Sequence, residues 1–325
     1  MQSNVMSARI RLARNLRGIP FPGRMTAEQK KDVCRRVKEA AMSLPGYRFD
    51  YLDMENLTAI QAGSMVEEHL ISVDFCSERE GEGLLLDRKN NISIMINEED
   101  HLRIQVLGDG DSLRELYEKA NRLDDELDEK LTFAFSDTLG YLTHCPTNLG
   151  TGLRASVMMH LPALTESGLI QKIVNTVSQV GLTVRGLYGE GSRADGCFYQ
   201  VSNQVSLGIS EQDTVERLSE VVRQICENEE MLRNKMMENI TIEDRVFRSY
   251  GVLKEARLLS SKEFAGLISD VRLGAEAGKI PLSTDVIDKL FIRVQPYSLM
   301  LGGGEGMEIR QRDIKRAELV REKLK

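Results

Sequence analysis

The stretch NEEDHLRI sets Glu98, Glu99, Asp100, His101 and Arg103 between two apolar runs. Three other stretches mix arginine with acidic or turn-forming residues: SARIRLARN holds Arg9 and Arg11, CPTNLGTGLRASV holds Cys145 and Arg154, and VRGLYGEGS holds Arg185 and Glu190. In an extended strand, alternate side chains share a face. His101, Arg103 and Gln105 therefore oppose Leu102, Ile104 and Val106, with Glu99 in phase with the polar set. Arg9 and Arg11 oppose Ile10 and Leu12 in the same way, and Arg154 points away from the apolar face of its own strand. Arginines gathered on one sheet face repel one another, by about 4 kcal/mol per pair at roughly 4 Å and an effective dielectric near 20. Such a gathering requires an anion, and a nucleoside triphosphate carries enough charge to fill the role. Pro146, Asn148, Gly150, Gly152 and the glycines around Glu190 let the main chain turn and approach a ligand closely.

Taken singly, each of these residues has a plainer reading. An arginine opposite an apolar strand face is ordinarily a solvated charge, Glu99 a turn residue and Glu190 a cap. His69 in VEEHLIS reads as a half-buried surface histidine, and Cys145 before a proline as a small hydrophobe. Only convergence on one face turns these residues into a site.

The elements that must bring them together follow from periodicity. Ala27–Met42 and Leu113–Leu131 repeat apolar residues at helical spacing. Segments 84–86, 92–96, 101–107, 152–161, 184–188 and 198–207 read as strands that follow one another closely, which predicts a mostly antiparallel sheet flanked by helices. After Cys226 only helical patterns occur: the predicted helices are 211–236, 242–250, 261–274, 283–292 and 312–325, with a glycine-rich loop at 301–306. The predicted class is α+β, with a catalytic domain over 1–226 and an all-helical domain over 227–325.

Composition narrows the function classes. A chain of 325 residues with 41% hydrophobic content can bury substantial cores. A net charge of -7 argues against general nucleic-acid binding, so any anion site has to be a local arginine cluster. No apolar run reaches the roughly 18 residues of a membrane span, and the arginine-bearing N-terminus does not read as a signal peptide, so a cytoplasmic location is expected. The five cysteines lack paired spacing, predicting reduced thiols and no protein-bound metal site.

In order and spacing, SARIRLARN, NEEDHLRI, CPTNLGTGLRASV and RGLYGEGS resemble the motifs of the ATP:guanidino phosphotransferases, the family of creatine and arginine kinases. The likeness is strongest to the bacterial branch that phosphorylates arginine side chains in proteins. No helical domain precedes the arginine strand here, and RDIKRA near the end is similar to that branch's phosphoarginine-binding motif. The resemblance implies that Arg9, Arg11, Arg103, Arg154 and Arg185 hold the phosphates of ATP. Ser7, the main chain from Arg154 through Ala155, Ser156, Val157 and Met158, and Gly186 would complete the cradle, and His69 would meet the adenine. It implies that Glu99 and Glu190 grip the substrate guanidinium with Cys145 close by, and that Glu190 also borders the nucleotide. Arg312, Asp313, Arg316 and Ala317 would bind phosphoarginine as an allosteric ligand. Glu98 and Asp100 belong to the motif without an implied direct role.

This assignment makes chemical sense. Phosphoryl transfer asks mainly for in-line positioning and charge stabilisation, which arginines and Mg2+ carried on the nucleotide phosphates supply. A guanidinium is protonated at neutral pH, so a carboxylate must align its nitrogen and accept its proton. By the same resemblance the partners are arginine-containing proteins marked for Clp unfoldase and protease during stress and protein quality control, a zinc-binding activator protein, and further copies of the chain. Tyr188 stands where small-guanidine kinases carry a second arginine, and the resemblance implies a longer stretch before Ser7 than the few residues present. Two other readings share the motifs: a kinase for free arginine or another small guanidine, and a non-catalytic phosphoarginine-binding module, which would gain nothing from two carboxylates in its site.

Overall fold

The computed structural model describes residues 4–76, 80–108, 112–186, 195–303 and 306–324. Its elements are β1 (Val5–Arg14), α1 (Ala27–Met42), β2 (Asp50–Asp53), α2 (Ala59–Glu67), β3 (Gly83–Asp87), β4 (Ile92–Ile96), β5 (Leu102–Gly108) and α3 (Leu113–Leu131). Next come β6 (Phe135–Ser136), β7 (Gly140–Tyr141), β8 (Leu153–His160), α4 (Pro162–Glu166), α5 (Ile170–Gln179), β9 (Leu182–Gly186) and β10 (Phe198–Asn203). The helices α6 (Glu211–Met236), α7 (Ile240–Glu255), α8 (Ser261–Glu276), α9 (Thr284–Arg293), α10 (Pro296–Gly303) and α11 (Ile309–Lys323) follow.

Eight strands form one sheet in the order β2-β3-β4-β5-β1-β8-β10-β9, and every neighbouring pair is antiparallel. The antiparallel sheet with flanking helices inferred from the sequence is therefore present, with a helical region after it. One face is apolar. Ile10, Leu12, Ile104, Val106, Ala155, Val157 and Val201 are buried there with α1, α3 and the first half of α6. On the other face, Met54, Ala62, Ile71 and Phe75, from α2 and its flanking turns, cover Leu84, Leu86 and Met95 of β3 and β4. That layer stops short of β1, β8, β10 and β9, so the polar face of the central strands lies at the floor of a cleft.

The helices begin where the sequence supplies caps. Thr26 and Gln29 form a reciprocal capping box on α1, Ser112 caps α3 and Ser210 caps α6. The α6 helix runs unbroken through Cys226, where the sequence pattern changes. Its residues up to Cys226 belong to the sheet's core, while Met237 just beyond its end joins a second core built by α7, α8, α9 and α11. The segment 301–306 was expected as a loop, yet residues 301–303 continue α10. Packing of α10 on α2 outweighs the low helix propensity of glycine there: the Tyr297 ring lies so close over Gly63 that a Cβ on Gly63 would fall 2.5 Å from it.

The seam between sheet and helical region combines Phe198 of β10, packed on Phe291 at 4.7 Å between ring centres, with a polar network. His160 at the end of β8 meets Ser269 at 2.8 Å and Glu276 at 3.3 Å. Arg233 donates to Asn4 (2.7 Å) and Glu276 (3.0 Å), and Arg272 binds Glu276 and both oxygens of Asp288. A second link lies at α2: Glu67 accepts the Tyr297 and Ser298 amides at 2.8 and 2.7 Å and the Ser298 hydroxyl at 2.9 Å, holding the start of α10.

Candidate active site

Strand register assembles the cleft. Arg11 lies directly opposite Arg154 across β1 and β8, Arg9 opposite Ser156, and Ala13 opposite Arg103. Gln200 on β10 pairs with Met158 on one side and Arg185 on the other. Directly opposed side chains on antiparallel strands sit about 5 Å apart at Cβ, where like charges are destabilising. Even so, Arg9, Arg11 and Arg154 make no ion pair among the described residues, and the Nε atoms of Arg11 and Arg154 are buried without a hydrogen-bond partner. Burial, with Arg154 and Arg103 nearby, pushes Arg9 down to about 10. Burial together with Arg9, Arg103 and Arg154 lowers Arg11, and burial with Arg185 and Arg103 lowers Arg154. Three guanidinium groups are thus held together against mutual repulsion and desolvation, an arrangement that an anion would relieve.

The cleft has a volume of about 460 Å³ and brings Arg9, Arg11, Glu99, Arg103, Cys145, Arg154, Arg185 and Gly186 together. It adjoins a smaller pocket of about 150 Å³, to which Ser7, Arg9, His69, Ser156 and Met158 contribute. Gln200 and Arg9 border both, so the two form one groove with a cationic end and a narrower end. His69 has a left-handed backbone, with φ 61°, just past the C-terminus of α2. Burial, then Arg9, holds its pKa down to about 4, so it is neutral at pH 7. Ala155 and Val157 turn their side chains into the core on the far face, leaving only their main chain for any contact with a ligand.

The NEEDHLRI stretch divides its work. Glu98 is nearly buried and accepts from Ser72 (2.6 Å), the Glu99 amide (2.8 Å) and Arg103 Nη1 (2.7 Å). Glu99 keeps 35% of its side chain exposed and accepts from Arg103 Nη2 at 2.8 Å, leaving acceptor capacity facing the cleft. Asp100 is buried and accepts Asn15 Nδ2 (2.6 Å) and the His144 amide (2.7 Å), which fixes the loop leading to Cys145. His101 accepts the Leu16 amide at Nδ1 (2.9 Å) and donates from Nε2 to the Pro20 carbonyl (2.8 Å), a neutral structural histidine. Cys145 Sγ lies 3.0 Å from Thr147 Oγ1 at the cleft wall.

The loop from Cys145 to Gly152 is anchored from beneath by Arg14. That guanidinium is buried, forks onto Asp124 (3.0 and 2.7 Å), donates to the Thr151 carbonyl (2.8 Å) and stacks on Tyr141 at 3.5 Å. At Gly152 (φ +63°) a Cβ would meet Ala13 O at 2.6 Å and Arg14 Nη1 at 2.7 Å, so glycine is required there. Gln200 and Arg14 were missed by sequence reasoning. The alternation of Phe198–Asn203 would have put Gln200 on the polar face, and the ARN end of SARIRLARN contains Arg14.

Glu190 and Tyr188 lie outside the described residues. The RDIKRA residues are on α11, away from the cleft. Arg312 and Asp313 are half-buried. Arg316 is buried and donates to Val294 O (3.0 Å), Leu259 O (2.7 Å) and Asp313 (2.6 Å), and Ala317 is wholly within the helical core. No group of three or more His, Cys, Asp or Glu able to hold a metal occurs among the described residues, and none of their helices is long and apolar enough to cross a membrane.

An arginine-floored groove on the open face of an antiparallel sheet, with a glutamate and a thiol in its lining, offers positive charge to a polyanion and a carboxylate to a neighbouring cation. Residues 32–232 match the model of the ATP:guanido phosphotransferase C-terminal catalytic domain, and residues 239–325 match that of the protein-arginine kinase McsB C-terminal domain. The chain is 46% identical over 323 residues to the protein-arginine kinase of Halothermothrix orenii, covering 98% of this chain and 93% of that one. It is 45% identical over 327 residues to that of Clostridium novyi, covering 99% and 95%. Among solved structures, lombricine kinase matches with a TM-score of 0.64 and 28% identity over 71% of this chain and 68% of that one. The chain belongs to the ATP:guanido phosphotransferase family and, within it, to the protein-arginine kinases.

Proposed function

We propose that the chain transfers the γ-phosphoryl group of ATP to the guanidino nitrogen of arginine side chains in other proteins. The observation that carries this reading is the cluster of Arg9, Arg11 and Arg154, none of which makes an ion pair among the described residues, with Glu99 at the edge of the same cleft. Arg9, Arg11, Arg103, Arg154 and Arg185 bind the triphosphate. Ser7, His69, the main chain of 155–158 and Gly186 line the nucleoside end and the turn beneath it. Mg2+ rides on the nucleotide phosphates and offsets their charge.

The acceptor guanidinium lies between Glu99 and Glu190, beside Cys145. Its nitrogen attacks the γ-phosphorus, an N–P bond forms, the P–O bond to the β-phosphate breaks, and ADP leaves with that oxygen. The nitrogen's proton passes to a glutamate carboxylate, with Glu99 as the base. Arginine and carboxylate meet in a bidentate fashion that also fixes the guanidinium plane.

The remaining elements of this reading concern regulation. The chain divides into a catalytic unit up to about residue 226 and a helical unit after it, where Arg312, Asp313, Arg316 and Ala317 form the phosphoarginine site. For Arg316 and Ala317, both buried, this means acting by anchoring the helix that carries Arg312 and Asp313. A cytoplasmic setting, self-association, a zinc-binding activator and delivery of marked proteins to a Clp-type protease complete the proposal.

A second reading, phosphorylation of a free small guanidine, is supported by the likeness to lombricine kinase. One experiment separates the two. The protein is incubated with Mg-ATP and either free arginine or an arginine-rich protein, and an acid-labile N–P signal is sought by phosphorus NMR. The signal is expected on the protein; a signal on free arginine alone overturns the first reading. Glu99→Gln should lower the rate by about 10² to 10⁴ fold while ATP affinity stays nearly intact, and equal loss of both would remove Glu99 from the role of base.

A further inference from the structure

An apolar trough runs along the far side of the loop that carries Cys145. One part, about 490 Å³, is lined by Phe135, Leu139, Tyr141 and Leu207; the adjoining part, about 470 Å³, is mixed, with Val180, Val205 and Leu207 beside Asn203, Asp213 and Arg217. Phe135, Leu139, Val180, Val205 and Leu207, all exposed large apolar side chains, gather along it. Concentration on one strip, rather than scatter, is the signature of an interaction surface.

The trough and the catalytic cleft share a wall. Cys145, Thr147, Asn148 and Gly152 face the cleft, whereas Gly150 and Thr151 of the same loop face the trough. The wall is held in place: Tyr141 N donates to Gly150 O at 2.7 Å, and Thr151 N to Ser206 O at 3.0 Å.

We propose that this trough receives an extended segment of the acceptor polypeptide next to the arginine being phosphorylated, seating apolar side chains of that segment. The inference rests on the reading of the chain as a kinase of protein arginines. An arginine side chain reaches only about 7 Å from its Cα, so an acceptor's main chain must lie across the mouth of the cleft. At about 3.3 Å per extended residue, side chains two to four positions away reach roughly 7 to 13 Å along the surface, far enough to cross a single loop. Continuity of the apolar strip with the cleft makes the acceptor, rather than an unrelated partner, the occupant that the geometry favours.

The test uses the full chain with Mg-ATP and two sets of short peptides, each with one central arginine. One set carries Leu or Phe at positions two to four on either side, the other Ser. Rates are read as acid-labile phosphate formed on the peptide. The apolar set is expected to have a kcat/KM at least tenfold higher, through KM. Leu139→Ser and Leu207→Ser should erase that preference while leaving the polar-peptide rate and the KM for ATP unchanged. Equal kcat/KM for the two sets with the unaltered protein overturns the proposal, and this comparison needs no variant to fold. Variants that dissociate an assembly in sedimentation while keeping the peptide preference would make the trough a contact between copies and also overturn it. Phosphorylation of free arginine with neither peptide set modified would instead refute the underlying reading of a protein kinase.

Discussion

Arg272 in the helical region and Arg11 on the open sheet face are both enclosed guanidinium groups, but their surroundings are opposite. Arg272 binds Glu276 and both oxygens of Asp288, and its neighbour Arg233 shares Glu276. Arg11 lies across from Arg154 and near Arg9, and its buried Nε has no partner. In the helical region the protein supplies the counter-charge itself, and the result is structure. On the sheet face Glu98 and Glu99 pair only with Arg103, and Arg9, Arg11 and Arg154 are left without a direct ion-pair partner among the described residues. Burying an arginine therefore says little by itself; what meets it decides whether it is structure or site.

The sharpest way to break this comparison is to remove one arginine from each side. Arg272→Met strands Asp288 and Glu276 without their cation and should cost about 3 to 5 kcal/mol of stability in urea unfolding. Arg11→Met relieves repulsion instead: the ligand-free protein should be as stable as before or more so, while ATP binds at least about tenfold more weakly in calorimetry. A similar loss of stability for both would erase the distinction.

A smaller effect is expected from pH. Folding holds His69 at about 4, through burial and then Arg9, against an ordinary value of 6.5. Between those values the unfolded chain binds more protons, so stability rises with pH. The contribution of neutral His69 is complete above about 6.5 and disappears as pH falls through about 4, a change of about 3 kcal/mol. Urea midpoints across this range should show the slope, and His69→Gln should flatten it; a slope that survives the substitution would assign it elsewhere.

The smallest effect concerns the link between the two regions. Glu67→Ala removes the acceptor for the first amides of α10 and should cost about 1 kcal/mol. Hydrogen exchange should accelerate in α10 and leave α7 and α8 unchanged; uniform acceleration would mean that the contact supports the whole helical region.

Much of this was legible in the sequence because the relevant signals are local. Period-two alternation put Arg9, Arg11, Arg103 and Arg154 on polar faces, and helical periodicity gave α1, α3 and α6 at their observed bounds. Alternation cannot say which strands are neighbours, and β1 lies between β5 and β8, far apart in the chain. The opposition of Arg11 and Arg154 was therefore invisible beforehand. The short elements were also missed: α2 and β2 have too few residues to show a period, and α10 is held by Glu67 and Tyr297 contacts distant in sequence. Arg316 illustrates the converse. Its motif marks it as a recognition residue, but its bonds to Val294 and Leu259 arise from helix packing that no motif encodes.

The unbroken α6 has a mechanical consequence. At about 39 Å long, it touches Arg14 and Tyr117 through Glu211 at one end and Asn4 and Glu276 through Arg233 near the other. With its first half packed in the sheet's core and Arg233 bonded to Glu276 of α8, one rigid helix joins the underside of the loop that bears Cys145 to the helical region.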